Sequence, residues 1–328
     1  MTTSSRLAPI PVRVPAGATA SRPTWDELPA EVRRLVARRC GAEVVEATSV
    51  GSGFTPGFAS RLLLADGRRV FVKAADEQTR APFAASYRAE ATKLAVLPAA
   101  VPAPRLLWSH DGDGWVVLTM EHVAGSQPSR PWTEAHLDAV LDALEAGAQA
   151  LTPPPPGVQW PSFADDYGDL PGHWSACAEK ERVPAWLRPY VAQCSDLAAA
   201  AVALLAGNTA CHTDVRDDNI LIDTDGTVWF CDWNWMVRAH PAFDSLALLL
   251  CAHGDGHDAD ALLERRTVTR GLPDGLVDGF LALLLGYFLH QADEPAPATS
   301  VWLRPHQGWY AEAAARWLAR RRSWPTAP

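Results

Sequence analysis

Apolar positions recur at helical spacing over residues 24–41, TWDELPAEVRRLVARRCG, where Thr24 and Glu27 stand in capping-box spacing and Gly41 supplies a stop. From residue 42 to about residue 75 the pattern shortens into β-rich runs, with Asp66-Gly67 between two of them as a strong hairpin signal. Residues 81–97, APFAASYRAEATKLAVL, read as helix and stop at a proline-rich loop over 98–104. A second hairpin follows over 105–121, turning at Asp111 to Gly114. Beyond residue 121 the pattern is mostly helical. TEAHLDAVLDALEAGAQAL precedes Pro153–Pro156, a stiff spacer, and helices resume as PAFDSLALLLCAH, LVDGFLALLLGYFLHQA and HQGWYAEAAARWLARRR. Only 212–235 reads as β in this half. A strand-rich part of about 100 residues is thus followed by a helical part of about 200, with no internal repeat.

Composition changes this picture little. The 328 residues, 48% hydrophobic and 20% charged, describe a globular protein of about two domains. No apolar run reaches the roughly 18 residues a membrane span needs; GFLALLLGYFL at 279–289 is too short, so no membrane partner is expected. Residues 1–23 lack a continuous apolar core and carry several prolines, which predicts a disordered tail rather than a secretory signal. The six cysteines form no C-x-x-C pair, suggesting neither zinc nor disulfides and pointing to reduced thiols in the cytoplasm. A net charge of -9 argues against a nucleic-acid partner. That charge is uneven: residues 1–121 hold 15 basic and 12 acidic side chains, residues 122–328 hold 14 and 26. The acidic half suits a cationic ligand, or serves solubility alone.

Candidate chemistry centres on HTDVRDDNILI at 212–222, followed by a possible hairpin with Asp225-Gly226 between NILIDT and TVWFCD. With a two-residue loop, Thr224 pairs with Thr227, and Asn219 falls directly opposite Asp232 on one face. An amide oxygen and a carboxylate so placed suit Mg²⁺. Asp214, five residues before Asn219, can share the site, and His-x-Asp-x-x-x-x-Asn followed by Asp232 is the phosphoryl-transfer set. An EF-hand fails because Gly226 comes too early. The first half supplies the complementary parts: Gly51, Gly53 and Gly57 between two β runs, Lys73 ending RRVFVK, and Glu90 on the next helix. Lys73 is informative because only three of the 29 basic residues are lysine, and a compact ammonium reaches a phosphate. No G-x-x-x-x-G-K or G-x-S-x-G occurs, and Pro56 with the Asp66-Gly67 hairpin opposes a Rossmann turn.

On VFVK, VLTMEHVAG, HTDVRDDNILI, VWFCDWNW and HPAFDSLA, which follow one another along the chain in the family's order, the chain resembles the aminoglycoside phosphotransferase family of the protein-kinase-like fold from about Gly51 onward. The resemblance implies an α+β bilobal fold with an ATP-binding N-lobe over 24–121, a hinge near 121, and a helical C-lobe over 122–328 that carries a catalytic hairpin. It implies Asp214 as catalytic base, Asn219 and Asp232 as Mg²⁺ ligands, Lys73 on the ATP phosphates with Glu90 as its partner, and His212 as a brace. Gly51 and Gly53 would cover the phosphates, Met120 to Val123 would form the hinge, with Glu121 and Val123 meeting adenine, and Asp244 would be a structural acid. Two departures stand out: Arg216-Asp217-Asp218 precedes the Asn, so Arg216 is a candidate to steady the transferring phosphoryl group, and Asn234 replaces the glycine common after Asp232. The expected reaction is ATP- and Mg²⁺-dependent phosphorylation of a hydroxyl on a small cationic molecule such as an aminoglycoside, by a monomer or homodimer. Choline, amino-sugar and homoserine-type acceptors share the same set, and a pseudokinase would lack one of its members. Asp217, Asp218, Asp165, Asp166 and Asp169 are either an amine-binding wall or solvated charges. Trp302, Trp309, Trp317 and Trp324 form either a packing stripe or an aromatic cage, and His253, Asp255, His257 and Asp258 read as a polar loop rather than a metal cluster.

Overall fold

The computed structural model describes residues 7–177 and 183–325, which form two lobes meeting at the end of residue 121. The N-lobe runs α1 (Ala30–Cys40), β1 (Val44–Ser49), β2 (Phe58–Leu64), β3 (Arg69–Asp76), α2 (Ala81–Leu94), β4 (Leu106–Gly112) and β5 (Trp115–Glu121). Its strands make one antiparallel sheet ordered β1-β2-β3-β5-β4. The period-two pattern of β3 divides the work: Val70, Val72 and Ala74 join Val32, Val36 and Cys40 of α1 in one core, whereas Lys73 projects toward α2 and the interlobe cleft. Against the cleft face lie Tyr87, Ala91 and Leu94 of α2. Helix α1 begins later than its capping-box spacing suggests. Thr24 N–H and Oγ1 do donate to Glu27 Oε2, at 2.6 and 2.9 Å, but this closes a turn; the proline at 29 disfavours helix at Leu28 and becomes the N-cap.

The C-lobe comprises β6 (Gly125–Ser126), α3 (Glu134–Ala150), α4 (Phe163–Tyr167), α5 (His173–Cys177), α6 (Val191–Leu204), β7 (Thr209–Cys211), β8 (Ile220–Asp223), β9 (Val228–Phe230), β10 (Val237–Ala239), α7 (Phe243–Gly254), α8 (Ala259–Arg265), α9 (Asp274–Asp293) and α10 (Leu303–Arg322). Two small sheets, β6-β8-β9 and β10-β7, lie in this lobe, and residues of β6 and β8 line the interlobe cleft. Helix α9 extends the 279–289 run to 20 residues and is by length and hydropathy long enough to cross a membrane, with a mean hydropathy of 1.3. Its apolar residues are accounted for within the lobe: 67% of that stretch is buried, packed between α6 and α10. The tryptophans likewise pack, with Trp309 and Trp317 buried and Trp324 stacked on Tyr190 at 4.3 Å.

The disordered tail expected over 1–23 is corrected across its described part, from residue 7 onward. Leu7 and Ile10 donate their N–H groups to Gly256 and Gly254 of the C-lobe, and Ile10 is 4% exposed beneath Trp309, whose Nε1 donates to the Ile10 carbonyl at 3.2 Å. The prolines here stiffen an extended strap that borrows its core from distant helices, so it needs no periodic pattern of its own.

Candidate active site

The loop between β1 and β2 arches over the interlobe cleft, a cavity of about 490 Å³. Gly53 adopts φ +80°, which a side chain would resist, and a Cβ at Gly51 would meet the Gly17 carbonyl at 2.1 Å. Beneath this loop Lys73 Nζ donates to both Glu90 oxygens, at 2.8 and 2.7 Å, and also contacts Asp232 Oδ1. Burial opposes charge on Lys73, but the two carboxylates prevail and its pKa rises; Glu90, almost wholly enclosed on α2, is pushed up by burial against the pull of Lys73. The helix partner expected at Glu90 is therefore in place.

The catalytic hairpin differs from expectation by one residue. Ile220 pairs with Phe230, Leu221 with Trp229 and Ile222 with Val228. Asp223 N–H donates to the Thr227 carbonyl at 3.0 Å and Gly226 N–H to the Asp223 carbonyl at 3.1 Å, so the loop holds three residues, with Gly226 at φ +82°. This is the turn-plus-bulge hairpin rather than the two-residue one, and the slip sets Asn219 against Cys231, whose N–H donates to the Asn219 carbonyl at 2.8 Å. In a regular strand Asp232 would then face away from Asn219. Instead Asp232 leaves the ladder in the left-handed region, φ 68° and ψ 58°, and its carboxylate returns to the cleft that Asn219 lines. Such backbone costs on the order of 1–3 kcal/mol for a non-glycine residue, and the Lys73 contact offsets it.

Asp214 lies in the loop after β7. His212 Nε2 lies 2.8 Å from the Cys231 carbonyl, which can only accept, so that nitrogen carries the proton and Nδ1 accepts from Asp214 N–H at 3.2 Å. Burial holds this imidazole neutral, below its usual pKa. Asp244, at the start of α7, accepts from the N–H groups of His212 and Thr213, both at 2.8 Å, and so supports the φ of +63° at Thr213. Both the brace and the structural acid stand where the resemblance implied them.

The Asp214 side chain accepts from Asn219 Nδ2 at 2.9 Å and is paired with Arg216 on its other oxygen. Burial pushes the Asp214 carboxyl up to about 6, with Arg216 opposing and the charges of Asp218 and Asp232 adding. Burial would raise Asp232 too, but Lys73, helped by Arg22 and Arg216, brings it down to about 2. The two neighbouring carboxylates thus differ in their affinity for a proton: Asp232 is held as an anion, whereas burial favours the protonated form of Asp214. The donor set fits Mg²⁺. Asn219 spends its amide nitrogen on the Asp214 carbonyl and carboxylate, so its Oδ1 and the ionised Asp232 carboxylate are hard oxygen donors of one cleft.

At the hinge, Glu121 N–H donates to the Arg105 carbonyl at 3.0 Å and its carboxylate holds the Arg105 side chain. Glu121, His122 and Val123 all line the cleft, and with the Glu121 N–H already used, a purine edge seeking an N–H donor is left with His122 and Val123. The supposed amine wall also divides. Asp218 is bonded to Arg216 Nε at 2.9 Å, Asp217 to Arg130 at 3.0 Å, and Asp165 closes a capping box with Ser162 on α4, so only Asp166 and Asp169 stay exposed without a structural task in view. Beside Asp214 stand two aromatic hydroxyls: Tyr167, 2.9 Å from Thr213 Oγ1, and Tyr287, both raised above their ordinary pKa by burial and then by the Asp214 charge among others. The 253–258 loop holds no metal-type cluster among the described residues. His253 stacks on Trp317, Asp255 binds Arg130 at 2.6 Å, and His257 Nε2 sits 2.9 Å from the Trp132 carbonyl.

Arg22 and Thr19, which touch the glycine loop, were not foreseen. No local signal marks them, because their partners lie 30 to 35 residues away.

A glycine loop, a Lys–Glu pair, a buried acid beside an Asn–Asp oxygen pair and a two-lobed frame together define a kinase-type phosphotransferase. The family model for the phosphotransferase enzyme family matches residues 48–277, more than half of the chain, and the protein belongs to that family. A search of curated proteins finds no match. Among solved structures, a thermostable mutant of aminoglycoside phosphotransferase APH(4)-Ia, solved with ADP and hygromycin B, is similar at 17% identity and TM-score 0.59, covering 89% of this chain and 99% of its own. Choline kinase LicA from Streptococcus pneumoniae is similar at 13% identity and TM-score 0.58, covering 89% and 100%. An aminoglycoside phosphotransferase from Alicyclobacillus acidocaldarius subsp. acidocaldarius DSM 446 aligns at 18% identity and TM-score 0.53, covering 85% and 92%. At these identities the likeness is one of fold.

Proposed function

We propose that this protein is an ATP- and Mg²⁺-dependent O-phosphotransferase acting in the cytoplasm on a hydroxyl of a small, cationic molecule such as an aminoglycoside or related antibiotic. The observation that carries the reading is Asp214, held at 2.9 Å against the amide of Asn219, which lines the cleft with Asp232, and raised by burial to about 6. Lys73, fixed by Glu90, offers a charge to the nucleotide phosphates, and Asn219 and Asp232 would hold Mg²⁺, which when bound neutralises phosphate charge. Asp214 orients the acceptor hydroxyl and takes its proton, while Arg216, charged between Asp214 and Asp218, would steady the transferring phosphoryl group. Tyr167 and Tyr287, on which the Asp214 charge acts, would flank the acceptor. A cationic acceptor is supported by the 26 acidic against 14 basic residues beyond residue 121, and by exposed Asp166 and Asp169 on the side of Tyr167. It is not supported by Asp217 or Asp218, which arginines already neutralise.

The test is Mg²⁺-dependent ADP release across aminoglycosides, other hydroxylated antibiotics, choline and amino sugars, with ³¹P NMR of the product. A phosphate-ester resonance from one class of amine-bearing alcohol is expected. Turnover confined to uncharged alcohols would overturn the acceptor assignment, and a phosphoramidate resonance would overturn O-transfer.

A further inference from the structure

The nucleotide cleft has a cationic group that the family-matched region, residues 48–277, does not contain. Residues 17–22 lie across the glycine loop. Thr19 N–H donates to the Gly51 carbonyl at 2.8 Å, and its hydroxyl donates to the Gly53 carbonyl at 2.6 Å. The same segment is tied to the opposite lobe, where Ser21 N–H donates to the Thr299 carbonyl at 2.8 Å and Ser300 Oγ to the Thr19 carbonyl at 2.6 Å. From this double anchor Arg22 reaches under the loop. Its Nη2 donates to the Ser52 carbonyl at 2.8 Å and its Nη1 to the Gly57 carbonyl at 3.2 Å, while Nε is buried without a partner.

Two geometric facts place that guanidinium in the cleft beside the glycine loop. It lines the cleft together with Lys73 and Asp232. Its Nη2 lies 3.1 Å, and Asp218 Oδ2 3.9 Å, from a Cβ built on Gly53, so the loop tip, Arg22 and the catalytic segment converge. A guanidinium carries five N–H donors in a planar fork, and two carbonyls use only two of them.

We propose that Arg22 is a phosphate-binding residue of the nucleotide site, supplied by the N-terminal strap and acting from beneath the glycine loop. The assignment rests on the nucleotide reading given above. It would account for glycine at position 51: any side chain there would push away the Gly17 carbonyl and with it the strap that carries Arg22.

The test is calorimetric titration of the full-length protein with Mg²⁺·AMP-PNP and with adenosine, comparing wild type, Arg22→Gln and Arg22→Lys. Arg22→Gln keeps a donor for the Ser52 carbonyl but removes the charge. It is expected to weaken AMP-PNP binding about tenfold or more, with adenosine affinity unchanged within about twofold. Arg22→Lys is expected to recover part of the loss, and to report on the charge should the Gln variant fold poorly. Equal losses for AMP-PNP and adenosine would assign Arg22 a purely structural part and overturn the proposal. Unchanged or tighter AMP-PNP binding by Arg22→Gln would overturn it as well, the latter marking Arg22 as an occluder. If the wild type binds neither ligand, the nucleotide reading itself falls and takes the role of Arg22 with it.

Discussion

Glu90 can be separated from Lys73 by a single atom exchange, Glu90→Gln. In the native site Lys73 Nζ holds both Glu90 oxygens at 2.8 and 2.7 Å and contacts Asp232, with Glu90 2% and Lys73 7% exposed. At an effective dielectric of about 20, two unit charges about 2.8 Å apart attract by about 6 kcal/mol. Desolvating each ion costs several kcal/mol, so the intact pair contributes little net stability. Breaking a buried pair costs about 3–5 kcal/mol when the survivor is stranded. Here it is not stranded, because Asp232 remains and the glutamine oxygen still accepts one bond. We therefore expect Glu90→Gln to lose about 1–2 kcal/mol and Glu90→Ala, which removes both acceptors and leaves a void, about 3–5. The functional loss should be larger than the structural one. Without Glu90, Lys73 is drawn wholly onto Asp232, away from the phosphates, and kcat/KM for ATP should fall by about 10²–10³. Urea unfolding at pH 7.5 and steady-state ADP release measure the two quantities. Glu90→Gln with wild-type kcat/KM for ATP would refute the claim that this pair positions Lys73.

Other perturbations test separate parts of the account. Gly226→Ala, at φ +82°, should cost about 1 kcal/mol in thermal or urea unfolding if the catalytic hairpin carries the three-residue loop. Arg216→Ala should lower kcat by at least about 10² with a smaller change in KM for ATP, since it removes the charge beside Asp214; unchanged kcat would reduce Arg216 to a partner of Asp218. Burial depresses His253 to about 4 and His306 to about 3, with neighbouring arginines adding to the effect. Below about 6.5 the unfolded chain binds protons that the folded one refuses, so stability should fall from pH 6.5 toward pH 4, by up to about 1.4 kcal/mol per unit for each histidine, and the slope should ease below the folded values. His253→Phe, which keeps a ring against Trp317, should flatten that slope; an unaltered slope would refute the assignment.

The parts of the site readable in sequence are those whose spacing is set locally or whose chemistry is rare. Lys73 stood out by lysine scarcity, Glu90 by its place on the following helix, and Asp214, Asn219 and Asp232 by their separation. The register was misread because Asp-Gly serves hairpin loops of two lengths. Asp113-Gly114 makes the two-residue loop, with φ of 54° and 77°, while Asp225-Gly226 sits in a three-residue one, and nothing in the dipeptide distinguishes them. Asp232 still faces the site because left-handed backbone makes up for the slip, a feature no residue pattern encodes. The strap over residues 7–23 was missed for another reason. Ile10 is buried by Trp309 and Thr19 is held by Ser300, contacts 299 and 281 residues apart, so the segment has no pattern to read until the C-lobe is assembled. Asp217 and Asp218 looked like a ligand surface because their partners, Arg130 and Arg216, are visible only in three dimensions or as one more local charge.

The central claim is that Asp214 takes the proton of an acceptor hydroxyl in a cleft that already binds nucleotide. Asp214→Asn keeps the side-chain shape and removes the base, so AMP-PNP binding and acceptor-dependent ADP release should be measured together on that variant and the wild type. Nucleotide affinity within about threefold of wild type, with release slowed by about 10²–10⁴, is the expected result. Release at the wild-type rate in Asp214→Asn would contradict the account at its centre.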